Sequence, residues 1–424
     1  IRIRRDARSQ ATREEWGNAL ARDLRYTVDG LLSGQRTSLS DQTLFATDYA
    51  YDPAGNLTER QDSAFGIDRY RYDPLGRIVA HLDPLGRVEH FLHDPAGDRL
   101  QTRISGQDTH GSENDWQRTG ESDGHHYRFN RAGNLTHRQS EDGLFQFDWD
   151  ANQRLRASHR IEGGQRRTTH YAYDPFGRRL YKETDGQRTL FGWDGDALAL
   201  DAIQGQVREF VYRPETFEPL ALLGASTSGP LLYLNDPNGC PTRLIDQTGQ
   251  LHWAASHTAW GAIAQIHQQT IDNPLRLQSQ YADAETGLYY NRNRYYDAQL
   301  GTFISQDPIG LEGGLSLYQY GLNPISWTDP LGWTCRSSAR SSTKGRGWLS
   351  WAKKWHDKRA TEIFGKRKGA SYGKARHYDK SYKGRDIEYK SDNFSRRPRS
   401  PESLKRMDKQ IDTDINLRDA LGAN

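Results

Sequence analysis

Cysteine is almost absent from this chain: there are two in 424 residues, Cys240 and Cys335. Two thiols cannot build a disulfide framework or, on their own, a zinc cluster. Their scarcity suits a chain folded in a reducing compartment with both thiols unpaired. Methionine occurs once, at Met407, and the chain opens on Ile1, so the natural N-terminus is expected upstream. No apolar run has membrane-spanning length and no stretch reads as a signal peptide. Residues 1–330 contain no HExxH, no GxSxG and no phosphate loop. Residues 369–374 imitate a phosphate loop but are one residue short and lack the Ser or Thr after Lys374, so they read as a flexible turn. The 14 histidines are scattered, and the adjacent pair His125 and His126 reads as a solvated loop rather than a metal site.

What is abundant is glycine, at 40 residues, and aromatic side chains, at 11%. Frequent tight turns between strands rich in Tyr, Trp and Thr would use both. The length predicts more than one folding unit. The net charge of +3 hides a division. Residues 334–424 hold 24 Lys and Arg against 11 Asp and Glu, a net +13, whereas residues 1–333 hold 34 against 44, a net −10. An acidic carrier joined to a basic cargo with a polyanionic target is the expectation.

One phrase recurs through the acidic part. It stands as Tyr51-Asp52-Pro53-Ala54-Gly55-Asn56, Tyr72-Asp73-Pro74-Leu75-Gly76-Arg77, Leu82-Asp83-Pro84-Leu85-Gly86-Arg87 and Tyr173-Asp174-Pro175-Phe176-Gly177-Arg178, with weaker copies at Asp94, Asn130, Asp150, Asp194 and Asp236. Its chemistry is that of a β-turn. The Asp carboxylate accepts from the backbone two residues on, Pro presets the next φ, and Gly takes the left-handed position. From Asp52 to Asp194 the steps are 21, 10, 11, 36, 20, 24 and 20 residues. Spacing near twenty or its half suits one or two hairpin strands per unit. A lone hairpin cannot bury a face, so the units are expected to stack into one continuous sheet that coils and closes, because long exposed edges would aggregate.

These phrases resemble the YD repeats of Rhs proteins, teneurins and the C components of insecticidal Tc toxins. The run from Gly287-Leu288-Tyr289-Tyr290-Asn291-Arg292 through Phe303-Ile304-Ser305-Gln306-Asp307-Pro308-Ile309-Gly310 to Trp327-Thr328-Asp329-Pro330-Leu331-Gly332-Trp333 resembles the end of an Rhs core. The resemblance spans about residues 40 to 333 and implies a mainly β protein, a spiralling sheet closed into a hollow cocoon around a C-terminal cargo. The expected division is a β-shell over 1–298, an autoproteolysis segment over 299–333 and a basic toxin domain over 334–424.

Asp307 and Asp329 sit just before the charge reversal. As Asp-Pro residues they read first as turn formers, like the copies upstream. Two carboxylates in a confined site can also share a proton, one serving as base on a water and the other polarising a carbonyl. The resemblance implies that second use: an aspartyl autoprotease that cuts between Trp333 and Thr334. Relatives commonly carry Arg at the position of Thr302, a departure that bears on how the carboxylates are held.

After an irregular linker over 334–347, Trp348, Leu349, Trp351, Ala352, Trp355, Ala360, Ile363 and Phe364 recur at helical spacing, with Gly365 as C-cap. The three Trp read as a core stripe. Residues 378–390 read as a hairpin turning at Lys383 and Gly384, with Asp386, Glu388 and Lys390 on one face of its second strand. Asp379 with Glu388-x-Lys390 resembles the PD-(D/E)xK restriction-endonuclease fold, implying a small α/β nuclease. Asp379 and Glu388 would hold Mg²⁺ or Mn²⁺, Glu362 and Asp386 are further metal-ligand candidates, and Lys390 would orient or activate a water. Gln410 is another candidate. It lies on a helix begun by Ser400, Pro401 and Glu402. The cargo is expected to be truncated, because that fold usually adds a strand after this helix.

The expected substrate is DNA, with RNA the near alternative, since basic charge does not separate the two. ADP-ribosyltransferase, deaminase or pore-forming chemistry in the cargo, or a purely structural shell, are the competing readings. The resemblance also implies a cognate immunity protein, synthesis in a bacterial cytoplasm, and delivery into a rival cell on a secretion spike, with a type VI system the expected route.

Overall fold

The computed structural model describes residues 1–333 except 18, 95–96, 100, 106–116, 123, 142, 226, 228 and 315. Beyond them it gives the backbone of strands Arg336–Ser337, His377–Tyr382 and Arg385–Tyr389. Among the described residues the structure is almost wholly antiparallel sheet, and the single helical element is the 3-10 turn Gly310–Gly313. Nine strands follow one another from Arg2–Arg5 to Val88–His90, and sixteen from Gln101–Ser105 to Ile263–Gln269. A four-stranded sheet, Tyr281–Asp283 to Thr302–Phe303, comes next.

The mainly β expectation holds, but the single closed sheet does not. Each large sheet is an open meander in which the first strand is not paired with the last. The first meander ends at the three-residue strand Val88–His90, exposed throughout, which lies between the turns at Asp83 and Asp94.

The repeated phrase folds as its chemistry requires and adds one feature. At Asp73, Oδ1 accepts from the N–H of Leu75 at 2.9 Å and of Arg77 at 3.0 Å, while Gly76 sits at φ +82° and donates its N–H to the Asp73 carbonyl. Oδ2 takes the guanidinium of Arg77, Nε at 2.6 Å. The same Asp–Arg pair, four residues apart, closes the turns at Asp83, Asp150 and Asp174. The arginine also reaches sideways. Nη1 of Arg77 donates to the Asp94 carbonyl at 3.0 Å and that of Arg178 to Gly195 at 3.2 Å, tying one turn to the next along the sheet rim.

Strand alternation puts one face inward. In Gly66–Tyr72, Asp68 and Tyr70 are buried while Arg69 and Arg71 are exposed. The four-stranded sheet and the loops after it pack on the inner face of the sixteen-stranded sheet, where Phe129, Leu135, Tyr173 and Trp193 meet Tyr290, Tyr295 and Ile304 in one core. Buried polar links fix the register of this packing. Arg179 pairs with Asp283 at 2.5 Å, with the Phe191 and Tyr290 rings 4.3 and 4.4 Å from its guanidinium carbon, and Arg138 pairs with Asp297 at 2.9 Å. The nine-stranded sheet is joined to the larger one through Arg243 and Asp62, 2.6 Å apart and both buried.

Candidate functional site

Asp307 and Asp329 each begin a turn of the repeated kind, so the turn-former reading is correct as far as it goes. Asp307 accepts the Ile309 N–H on Oδ1 at 3.0 Å, and its carbonyl accepts from Gly310 at 2.9 Å. Asp329 accepts the Trp333 N–H on Oδ1 at 2.9 Å, as a repeat aspartate accepts from the fourth residue on. What differs is the identity of that fourth residue: Leu311 after Asp307 and Trp333 after Asp329, where the turns at Asp73, Asp83, Asp150 and Asp174 have Arg. Neither turn carries its own cation.

One distant arginine serves both. Arg294, on strand Arg294–Asp297, places the same nitrogen, Nη2, 3.1 Å from Asp307 Oδ2 and 3.1 Å from Asp329 Oδ2. Its Nη1 donates to the Leu317 carbonyl at 3.1 Å, and its guanidinium carbon lies 3.7 Å above the Phe303 ring. All three charged side chains are at most 5% exposed. Two carboxylates around one cation in a buried site cannot both ionise cheaply. Burial pushes the Asp307 carboxyl up to about 6; Arg294 and the Ile309 N–H pull it down, and the charge of Asp329 adds to the rise. Burial, with a contribution from the charge of Glu218, raises Asp236 likewise to about 6, and there the fourth residue is Cys240. A raised carboxyl therefore does not single out the junction; the shared arginine and the position of Trp333 do.

Trp333 is bracketed by the pair. Its N–H is held by Asp329, and its carbonyl oxygen stands beside the Asp307 carboxylate: a Cβ on Gly313 would overlap that carboxylate and lie 2.6 Å from the Trp333 oxygen. The indole is buried with Phe217 and Leu331 and packs against Ile309. Asn291 and Asn293 secure the intervening turn through the Asp329 and Leu331 carbonyls at 2.7 and 2.9 Å. A carboxyl beside a carbonyl oxygen, with a second carboxyl on the N–H side of the same residue, is an arrangement suited to addition of water to that carbonyl.

Thr302, buried at 5%, pairs with Asp297 in the small sheet, and Arg294 occupies the place between the carboxylates. Arg294 and Gly313 are the residues sequence reasoning missed. Both junction turns lack Arg at the fourth position, but so do the turns at Asp52, Asp94 and Asp236, so the sequence held no specific signal for Arg294.

Of the proposed nuclease residues, Asp379 lies on strand His377–Tyr382, and Asp386 and Glu388 on Arg385–Tyr389. The two strands pair antiparallel, Tyr378 opposite Glu388 and Ser381 opposite Asp386, as the hairpin reading expects. Glu362, Lys390, Gln410, both predicted helices, Cys335 and residues 369–374 lie outside the described residues. His125 and His126 belong to strand His125–Phe129 rather than a loop, and among the described residues no group of three or more His, Cys, Asp or Glu is placed to hold a metal. No helix among the described residues is long and apolar enough to cross a membrane.

Comparison with known proteins agrees with this architecture. The Teneurin YD-shell family model matches residues 17–313. Among curated proteins, a probable deoxyribonuclease RhsA of Dickeya dadantii is 33% identical over 358 residues, covering 78% of this chain and 24% of that protein. Double-stranded DNA deaminase toxin A of Burkholderia cenocepacia is 33% identical over 238 residues, 49% of this chain and 17% of that protein. The chain thus spans a quarter or less of these relatives. Among solved structures, that of TcdB2-TccC3 superposes with a TM-score of 0.54 at 19% identity, over 78% of this chain and 19% of its own, a likeness of fold.

Proposed function

The chain belongs to the Teneurin YD-shell family, with the signature of an Rhs/YD-repeat toxin, and we propose that it cuts its own backbone between Trp333 and Thr334. The observation that carries this is the single Arg294 nitrogen shared by Asp307 and Asp329 on either side of Trp333. In this reading Asp329 takes a proton from water as the water oxygen bonds to the Trp333 carbonyl carbon, and Asp307 gives its proton to the carbonyl oxygen. The tetrahedral species then collapses. The carbon–nitrogen bond breaks, its electron pair leaves with the Thr334 nitrogen, that nitrogen takes the proton from Asp329, and Asp307 regains its own. The products are a Trp333 carboxyl and a Thr334 amine. Arg294 keeps the pair at one shared negative charge throughout. On a denaturing gel the wild type is expected as two bands and Asp307→Asn as one; a wild type that stays whole contradicts the assignment.

The segment released is proposed to be a nuclease acting on DNA in a rival cell, enclosed until then by the completed shell. Its charge of +13 and the deoxyribonuclease name of a relative support this. Asp379 and Glu388 would hold Mg²⁺, which would supply Lewis-acid activation of water and phosphate, with Lys390 beside them. The deaminase name of another relative favours a second reading, base deamination by the same segment. An immunity protein and a secretion spike are the partners this role requires. Incubating plasmid with the released segment separates the readings: Mg²⁺-dependent fragmentation supports the nuclease, and intact plasmid with altered bases supports the deaminase.

A further inference from the structure

We infer that Gly313 determines where the chain is cut: the space left by its missing side chain is where the Trp333 carbonyl meets Asp307. The inference rests on the self-cutting reading above. Gly313 ends the 3-10 turn Gly310–Gly313, and a Cβ there would stand 2.9 Å from Asp307 Cγ, overlap the carboxylate oxygen beyond it, and lie 2.6 Å from the Trp333 carbonyl oxygen. Real Cβ atoms do not approach that closely in a packed interior.

Three glycines of this turn divide two tasks. Gly310 and Gly314 have φ of +60° and +139°, and a methyl on either would meet nothing within 4 Å, so they are glycine for conformation. Gly313 has no such φ, and its backbone accepts any L-residue; only the space is special. Both neighbours are tethered, so any shift is taken up between them. The Asp307 carboxylate is held by Arg294 at 3.1 Å and by Ile309 at 3.0 Å, and Trp333 by the Asp329 hydrogen bond and its buried indole. A methyl at 313 must therefore push carboxyl and carbonyl apart while leaving the fold around them in place. Gly313 is a positioning residue, which selects the 333–334 bond by admitting that one carbonyl.

The test uses the full chain as Gly313→Ala and Gly314→Ala, with splitting followed over time on denaturing gels and folding checked by circular dichroism. Gly314→Ala strains the same turn without adding an atom near the dyad and is expected to split at the wild-type rate. Gly313→Ala is expected to stay folded and split at least about a hundredfold more slowly, the cost of a misplacement near 1 Å. Its residual splitting should no longer weaken as pH rises through about 6, since Asp307 would have lost the carbonyl. Wild-type splitting in Gly313→Ala overturns the inference, as does equal loss in both variants, which would make turn conformation the cause. A wild type that never splits overturns the self-cutting reading itself.

Discussion

The peptide N–H of Trp333 donates to Oδ1 of Asp329 at 2.9 Å, the contact that every well-formed repeat turn makes to its fourth residue. In the repeats that residue is commonly an arginine that also neutralises the aspartate; at the junction it is the residue whose carbonyl faces Asp307. On the self-cutting reading, a structural turn is turned to chemistry by replacing its arginine and leaving the charge to Arg294.

Arg294 should matter more to stability than any surface ion pair. Arg294→Met leaves two buried carboxylates without their cation and is expected to cost about 3–5 kcal/mol. Adding Asp307→Asn should recover part of that loss, because it removes one of the stranded charges. Chemical denaturation of the single and double variants checks both. A single variant as stable as wild type would show that the cation is not needed.

Cleavage should depend on pH through Asp307. Its carboxyl is raised to about 6, chiefly by burial, and the neutral form is the one that donates to the carbonyl. The rate is expected to be highest below pH 6 and to fall as pH rises through it. Because the folded value lies above the unfolded one, the stability Asp307 contributes follows the same direction, present in acid and lost as pH rises toward and past 6. Asp307→Asn should flatten that slope in melting temperature against pH. A rate rising from pH 6 to 8 would reverse the assigned roles.

The turn arginines are not equivalent. Arg178 is 26% exposed, pairs with the nearly buried Asp174 and reaches Gly195, so Arg178→Ala should cost about 1–2 kcal/mol. Arg87 is 67% exposed, and Arg87→Ala should cost less than about 0.5 kcal/mol. Urea unfolding of the two variants reads the difference, and equal losses would mean the sideways link to the next turn contributes nothing.

For the basic segment, Glu388→Ala and Lys390→Ala should each abolish plasmid cutting, and EDTA should do so in the wild type. Undiminished cutting by either variant would place the chemistry elsewhere.

The turns were legible because their chemistry is local: Asp, Pro and Gly within five residues decide the conformation, and Asp73 to Arg77 behaves as those residue types dictate. Strand pairing followed, since consecutive hairpins leave little choice of neighbour. Sheet closure was not legible. It depends on pairing between strands far apart in the chain, which no local turn chemistry records, and the first meander ends at Val88–His90. Asp307 and Asp329 were found through resemblance, but Arg294 joins them across the small sheet from 13 and 35 positions away, and no local pattern records such a contact. Gly313 was invisible for a similar reason, because an absent side chain acquires meaning only when its neighbours are known.

The most direct measurement is the N-terminal sequence of the smaller fragment from purified wild-type chain. Cleavage at the junction predicts that it begins at Thr334, and that the fragment is missing when Asp307 is replaced by Asn. A fragment beginning at another residue, or a wild type recovered only as the intact chain, would contradict it.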